Sequence, residues 1–430
     1  MYDLAIIGAG WAGFNAGLKA RKLGLQTVLI DKSEIGGTCL NLGCIPTKAL
    51  IQSAKVFNLV KKSSAFGINT SVPAIDFVKI QERKDKIIQQ LRLGMRSMLK
   101  DIDFLSAEAQ ILSANEIKVS GSSPVQAKNI LIAAGSMPYE LPQFKFDAKK
   151  ILSSNEILSL KAIPGSLLIV GGGVIGCEFA SLFLSLGSKV TVVEKMPQLL
   201  PGEDKETARK LENIFKKKGI KINTATDASS LNPDDFDIIL VCVGRVPRTE
   251  GLGLEKLGLK LERSRIITDD YLCTNINNIY AAGDCASKIM LAHLASFQGR
   301  LAAQNIAQPD NRKSAAAACV PSCIFTDPEI ASIGLSEDKA IANGLSVDIH
   351  KFDFLGSGMA RILDEAEGFI KIISGQNSGI VLGASIIGPK ATELIGILTL
   401  AVANSLSIKN LRQSIFAHPT LSESISEALE

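Results

Sequence analysis

Tryptophan occurs once and histidine three times in this chain of 430 residues, and no stretch has the length and apolarity of a membrane span. A long uncharged run, 394–408, contains Asn404, Ser405 and Ser407. It falls short of the ~18–20 apolar residues that a span requires and reads as a buried helix. Low-complexity tracts are lacking too: the composition, 46% hydrophobic and 21% charged, is that of an ordinary globular protein. Nor does one sign of charge dominate. The net charge is +4 with acids and bases interspersed, so Lys216–Lys218 reads as a solvated helix face. A nucleic-acid partner, which needs a clustered basic face, is not expected. Eight cysteines in a chain this long do not make a disulfide framework, and a reducing compartment tolerates a disulfide mainly where it is catalytic. Residues 2–7 run into a glycine-rich turn without a basic flank, which predicts a strand rather than a signal peptide. A cytoplasmic protein with no membrane partner is expected.

What is present begins with two glycine fingerprints. The length itself predicts about three domains of roughly 100–200 residues. An apolar strand at 2–7 is followed by Gly8, Gly10 and Gly13 in G-x-G-x-x-G spacing, an amphipathic helix to about Leu23, and a second strand ending at Asp31. The first glycine allows the tight turn, the second lets a pyrophosphate approach the backbone, and the third lets helix and strand pack closely. Free N–H groups at the helix N-terminus suit phosphates. The pattern returns with a strand at 166–170, then Gly171, Gly173 and Gly176, a helix to about Leu186, and a strand ending at Glu194. From first glycine to terminal acid is 23 positions in both copies. Each unit closes on an apolar strand and a glycine, Gly135 before Pro138 and Gly244 before Pro247. Two dinucleotide sites in one chain point to two dinucleotides that react with each other, a flavin and a nicotinamide. Glu194 favours NAD over NADP, because a carboxylate that binds the ribose 2′-hydroxyl repels a 2′-phosphate. Lys195 beside it works slightly against that inference.

Cys39 and Cys44 stand in the segment GGTCLNLGCIPTK, residues 36–48. Five residues apart on a regular helix, two Cα atoms are separated by roughly 8–9 Å. A disulfide usually needs less than about 7 Å. A bridge between them therefore requires a distorted turn, which Gly43 and Pro46 permit. Such a pair at a helix N-terminus is reducible and reactive rather than structural. Without a third and fourth ligand nearby, the two cysteines do not match a zinc site, and no metal is expected.

This segment resembles the redox motif of the class I pyridine nucleotide-disulfide oxidoreductases, and within them it is most similar to the dihydrolipoamide dehydrogenases. The resemblance implies an α/β protein with two Rossmann-like dinucleotide-binding domains, for FAD and NAD, and a C-terminal α+β dimerisation domain. The implied division is 1–141 and 264–314 for the FAD domain, 142–263 for an abbreviated NAD domain and 315–430 for the interface domain. It further implies that Cys39 exchanges with substrate, that Cys44 lies against the flavin as the charge-transfer thiolate, and that Lys48 and its acidic partner Glu178 lie near the flavin N5. FAD contacts are implied for Asp31, Lys32, Thr38, Ala107, Ala134, Gly135, Ser136, Asp284, which follows Gly283 after the strand at 278–282, and the helix start Met290, Leu291, Ala292 and His293. The ending FAHPTLSE, 416–423, is nearly identical to the family's C-terminal motif. By that likeness His418 is the base that deprotonates a thiol, with Glu423 holding its tautomer and Pro419 fixing the backbone, and the pair completes the active site of the other subunit of a homodimer.

The resemblance covers essentially the whole chain. It departs at Phe416, where many relatives carry a second histidine, at Ala134, where a threonine is usual, and between Lys218 and Asp237, where a β-meander is expected and only a short strand and a polar loop remain. The implied reaction is the oxidation of dihydrolipoamide, carried by a protein of a 2-oxoacid dehydrogenase or glycine-cleavage system, with reduction of NAD. Glutathione reduction is the alternative within the class, but basic residues for NADP would then follow the second fingerprint strand, where Glu194 stands. Relatives with a cysteine-bearing tail are not expected here, since residues 424–430 carry no cysteine. A non-catalytic flavoprotein subunit is opposed by the intact Cys39, Cys44, His418 and Glu423.

Overall fold

A computed structural model of the chain describes residues 1–316 and 319–430. The first fingerprint forms as the sequence predicts: β1 (Tyr2–Ile7), α1 (Trp11–Lys22) and β2 (Thr27–Asp31). Next come α2 (Gly37–Leu42), α3 (Cys44–Lys61), α4 (Phe77–Met98) and four strands, β3 (Asp103–Ser106), β4 (Ala109–Ser113), β5 (Glu116–Val119) and β6 (Val125–Ile132). The parallel order is β3-β2-β1-β6, extended by an antiparallel β5-β4 ribbon. Strands buried on both faces read as near-continuous apolar runs, and Leu4 to Ile6 and Ile130 to Ile132 are fully buried.

The short strand β7 (Ser136–Pro138) leads out of this sheet, and β8 (Ile151–Leu152), β9 (Ser166–Val170), α5 (Val174–Ser185), β10 (Lys189–Val193), α6 (Lys205–Lys218), β11 (Lys221–Asn223) and β12 (Ile238–Val241) follow. The second sheet is parallel throughout, in the order β11-β10-β9-β12-β8. Between β11 and β12 there are only two single turns, at Ala228–Ser230 and Pro233–Asp235. The meander is therefore replaced by a loop. Strand β13 (Arg245–Pro247) pairs with β7, and a small hairpin of β14 (Leu261–Glu262) and β15 (Arg265–Ile266) follows. The chain then returns to the first sheet, where β16 (Ile279–Ala281) pairs with β6 and α7 (Ala292–Ala307) packs on α1.

The C-terminal sheet is antiparallel, built from β17 (Ser322–Ile324), β18 (Glu329–Gly334), β19 (Val347–Asp353), β20 (Phe369–Gly375) and β21 (Val381–Gly388) in the order β17-β18-β21-β20-β19. Helix α8 (Glu337–Ala342) packs near β19, α9 (Gly358–Ile362) precedes β20, and α10 (Ala391–Ala403) covers β18 and β21. Helices α11 (Ile408–Arg412) and α12 (Glu423–Glu427) end the chain. Helix α10 contains the first ten residues of the uncharged run, 394–403, and Leu394, Ile395 and Leu398 are buried in the core of this unit. No described helix is long and apolar enough to cross a membrane.

An ion network joins the second and third sheets. Lys371 of β20 is buried, and its Nζ lies 3.1 Å from Asp204, 3.3 Å from Glu206 and 2.6 Å from Glu337. Asp204 also caps α6 by accepting from the N–H groups of Glu206 and Thr207. A buried cation left without partners costs about 3–5 kcal/mol, so three carboxylates around one ammonium fix the start of α6 against the C-terminal sheet.

Candidate active site

Both fingerprints form turns of the same construction. Gly8 and Gly171 have φ of 105° and 109°, a region that L side chains rarely adopt. At Gly13 and Gly176 a Cβ would overlap the carbonyl oxygen of Gly8 and of Gly171 respectively, so helix and strand touch there through backbone alone. The acid ending each second strand closes the turn. Asp31 accepts from the N–H of Ala9 at 2.6 Å and of Ser33 at 2.7 Å, while Glu194 accepts from Gly172 at 2.6 Å and Met196 at 2.7 Å. Lys195 is exposed and points to Asp227, 4.0 Å away, rather than to Glu194.

A cavity of ≈ 1250 Å³ opens from the first turn. Its walls bring together Gly8, Gly10, Asp31, Lys32, Thr38, Cys39, Cys44, Lys48, Ala107, Ala134, Gly135, Ser136, Glu178, Asp284 and the helix start Met290 to His293. Gly13 lies behind the wall, as its packing role demands. Gly171, Gly173, Gly176, Glu194 and Gly244 do not line this cavity; the first four belong to the second turn, and Gly244 follows β12. The cradle fits FAD: a Cβ on Gly10 would project into open space, with nothing closer than Gly37 Cα at 3.9 Å, and the N–H groups opening α1 are free for phosphates. At the second turn, Gly173 is likewise open, with nothing within 4 Å.

The two cysteines sit where one helix stops and another starts. Gly43, at φ −149° and ψ −114°, breaks the chain between α2 and α3. Cys44 thus becomes the first residue of α3, and Pro46 falls in its first turn, where no N–H is needed. Both are free thiols, and each shifts the ionisation of the other. The Cys44 sulfur opens onto the cavity although protein closely surrounds it. Its thiol is lowered to about 7, first by the hydrogen bond from Cys39 and then, against the cost of burial, by Lys48. Cys39 is pushed up, by Cys44 and by burial, with Trp11 and Lys48 acting in the opposite sense. The charge of a reduced pair therefore rests on Cys44. In the dithiol form its thiolate absorbance in the ultraviolet is expected to grow as pH rises through about 7. Cys39→Ala, which removes the largest stabilising contact, is expected to move that midpoint upward.

Lys48, one helical turn beyond Cys44, meets the buried Glu178 of α5 at 2.8 and 2.7 Å. Glu178 also accepts from the backbone N–H of Phe325 at 3.0 Å, and the Lys48 ammonium lies 4.7 Å from the centre of the Phe325 ring. The expected cationic partner of Glu178 is thus in place, and three parts of the chain meet under the cavity. Asp284 accepts from Ser136 Oγ at 2.6 Å; that hydroxyl in turn accepts from Arg245 Nε at 2.8 Å. Burial lowers the pKa of Arg245, and Asp284 works against that. The sequence reading missed Arg245, although its place just after the closing Gly244 is a usable signal. It also missed Phe325, whose backbone N–H contact with Glu178 leaves no trace in sequence.

His418 and Glu423 form a separate pair. His418 Nδ1 lies 2.8 Å from Glu423 Oε1, and Thr420 N donates to Glu423 Oε2 at 2.8 Å. Those contacts, the Thr420 N–H first, hold the Glu423 carboxyl below its ordinary range. The His418–Pro419 bond is cis. The imidazole is 82% exposed and lies outside the cavity that holds Cys39 and Cys44. Within one chain, the structure does not bring base and thiols together. The other histidines are engaged elsewhere: His293 with the carbonyl of Pro321 at 2.8 Å, and His350 with Ser374 at 3.0 Å.

Comparison with known proteins accounts for this combination of two dinucleotide turns, a dithiol and a separate C-terminal unit. Residues 2–299 match the family described as pyridine nucleotide-disulphide oxidoreductase, and residues 320–429 match its dimerisation domain. The chain belongs to the pyridine nucleotide-disulphide oxidoreductases. It is 40% identical to a dihydrolipoyl dehydrogenase of Chlamydia muridarum over 447 residues, covering 99% of this chain and 96% of the relative. Identity is also 40% to a dihydrolipoyl dehydrogenase of Bacillus subtilis, over 99% of this chain and 97% of that one. Among solved structures, LpdA from Mycobacterium tuberculosis superposes with a TM-score of 0.91 at 28% identity, covering 99% of this chain and 98% of that one. The HOCl-induced flavoprotein disulfide reductase RclA from Escherichia coli gives 0.89 at 28% identity, over 100% and 99%. The protein is an NAD-dependent FAD disulfide oxidoreductase with a dimerisation domain, and it works with FAD and NAD.

Proposed function

We propose that this oxidoreductase is a dihydrolipoamide dehydrogenase that oxidises dihydrolipoamide on a lipoyl-bearing carrier of a 2-oxoacid dehydrogenase or glycine-cleavage system. The observation that supports the reading is the hydrogen-bonded pair His418–Glu423, in a chain 40% identical over its length to a dihydrolipoyl dehydrogenase. In this reading His418 takes the proton from a substrate thiol, and Glu423 accepts from Nδ1–H so that Nε2 is the free base. The substrate thiolate attacks Cys39 of the oxidised pair, and Cys44 leaves as the thiolate that Lys48 and the α3 N-terminus stabilise. Attack by the second substrate thiolate closes the lipoamide disulfide and releases Cys39. Bound FAD supplies the electron transfer that links the dithiol to NAD, as a cofactor whose chemistry the protein orients.

The remaining chain residues hold the two nucleotides. Asp31, Lys32, Thr38, Ala107, Ala134, Gly135, Ser136, Asp284 and 290–293 surround FAD, while Gly171, Gly173, Gly176, Glu194 and Gly244 receive NAD. We divide the chain at 1–141 with 264–314, 142–263 and 315–430. The pairing of β16 with β6 supports assigning the second FAD segment to the first unit. Because His418 is exposed and lies outside the cavity that holds the thiols of its own chain, we assign it to the partner subunit's site, in a protein we place in the cytoplasm.

The test is steady-state NAD reduction by dihydrolipoamide with FAD-loaded protein, with NADP and glutathione in parallel. NAD-linked turnover with dihydrolipoamide alone is expected. A flavin that NADH reduces, without lipoamide turnover, would instead assign the site to another disulfide.

A further inference from the structure

The only tryptophan of the chain, Trp11, stands inside the first fingerprint as the first residue of α1. Its side chain lines the cavity that holds Cys39 and Cys44, and its ring is set edge-on against Phe14, with centroids 6.4 Å apart. The indole nitrogen is buried, and no acceptor among the described residues meets hydrogen-bond geometry with it. Buried orphan donors are rare and call for an explanation.

Backbone contact places the neighbour of that donor. A Cβ on Gly37 would come within 2.7 Å of Gly10 Cα, so the turn that opens α1 touches the turn that opens α2. Trp11 follows the first of these glycines directly, and Cys39 lies two residues beyond the second. Trp11 and Cys39 line the same cavity, and the indole acts to favour the Cys39 anion. A neutral thiol is a weak acceptor and a thiolate a strong one. A thiolate on Cys39 would offer this donor a strong acceptor.

We propose that Trp11 donates its indole N–H to Cys39 at the moment that sulfur leaves as a thiolate, and so speeds release of the oxidised substrate. In that step the second substrate thiolate attacks the substrate sulfur of the mixed disulfide. The new S–S bond forms within the substrate, the Cys39–S bond breaks, and its electron pair stays on Cys39 Sγ. The substrate dithiol is oxidised and the cysteine pair reduced, with no further reactant. A leaving thiol of lower pKa leaves faster. The inference rests on the exchange role proposed for Cys39 and not on lipoamide as the substrate.

The test measures Cys39 alone, in FAD-loaded Cys44→Ser protein, through the pH dependence of its alkylation by iodoacetamide. Adding Trp11→Phe keeps the aromatic packing and removes the N–H. The alkylation midpoint is expected to rise by about one pH unit, the order of a hydrogen bond to a charged group. An unchanged midpoint would reduce Trp11 to a packing residue. Should Trp11→Phe fail to fold or hold FAD, the Cys44→Ser protein carrying isotope-labelled tryptophan gives one indole N–H resonance. That signal must move downfield through the alkylation midpoint, and a pH-independent signal refutes the proposal.

Discussion

Cys39→Ser will cut dihydrolipoamide-dependent NAD reduction by about 10⁴-fold or more, while NADH oxidation by an artificial one-electron acceptor stays within a few-fold of the parent. The asymmetry follows from where the two sulfurs sit. Disulfide exchange needs an attackable sulfur, and a serine hydroxyl neither forms the bridge nor leaves as a stable anion at neutral pH. The cavity of the first fingerprint, the Lys48–Glu178 pair and the second turn do not depend on Cys39. Electron flow between nicotinamide and flavin is therefore left in place. Paired assays with dihydrolipoamide and with the artificial acceptor separate the two. Equal loss in both would mean that Cys39 holds the cofactor cradle rather than the exchange chemistry.

The sequence made the fold legible wherever a local backbone requirement demanded a particular residue. The glycines at 8, 13, 171 and 176 stand where φ is positive or two backbones touch, and such needs leave a readable spacing. The strands they join are buried on both faces and so appear as unbroken apolar runs. The β4–β5 ribbon was not legible, because its strands are only five and four residues long and their alternation is correspondingly short. The break at Gly43 was legible from the disulfide distance limit, since Cys39 and Cys44 cannot meet on a continuous helix. Pairings made by long-range contact were visible only in part. Glu178 in an apolar helix announced that it needed a cation, and Lys48 supplied it. The Lys371 network and the Arg245–Ser136–Asp284 chain were not read from sequence, since only the folded chain brings their segments together. Trp11 was seen as a fingerprint position and not as a donor, since its orphaned N–H exists only once α2 packs beside it.

The second large effect concerns His418. Its replacement by Gln is expected to lower dihydrolipoamide turnover by about 10²–10⁴-fold, the usual contribution of a positioned base, and a Cys39→Ser chain is inactive for a different reason. Mixed in equal amounts and allowed to exchange subunits, the two inactive proteins are expected to recover about one quarter of the parent activity. Random pairing makes half of the dimers hybrid, and two-fold symmetry gives each hybrid one site with intact thiols from one chain and an intact His418 from the other. The exposed imidazole, held by Glu423 yet outside the cavity of its own thiols, is what leads to this expectation. If His418 served its own chain, the hybrids would contain no complete site, because one chain lacks Cys39 and the other lacks the base. Activity that appears on mixing, scales with the hybrid fraction and is absent from each protein alone therefore assigns the base to the partner subunit. Failure to recover it, with hybrid formation confirmed by differently tagged chains, assigns His418 to its own chain or removes it from the chemistry.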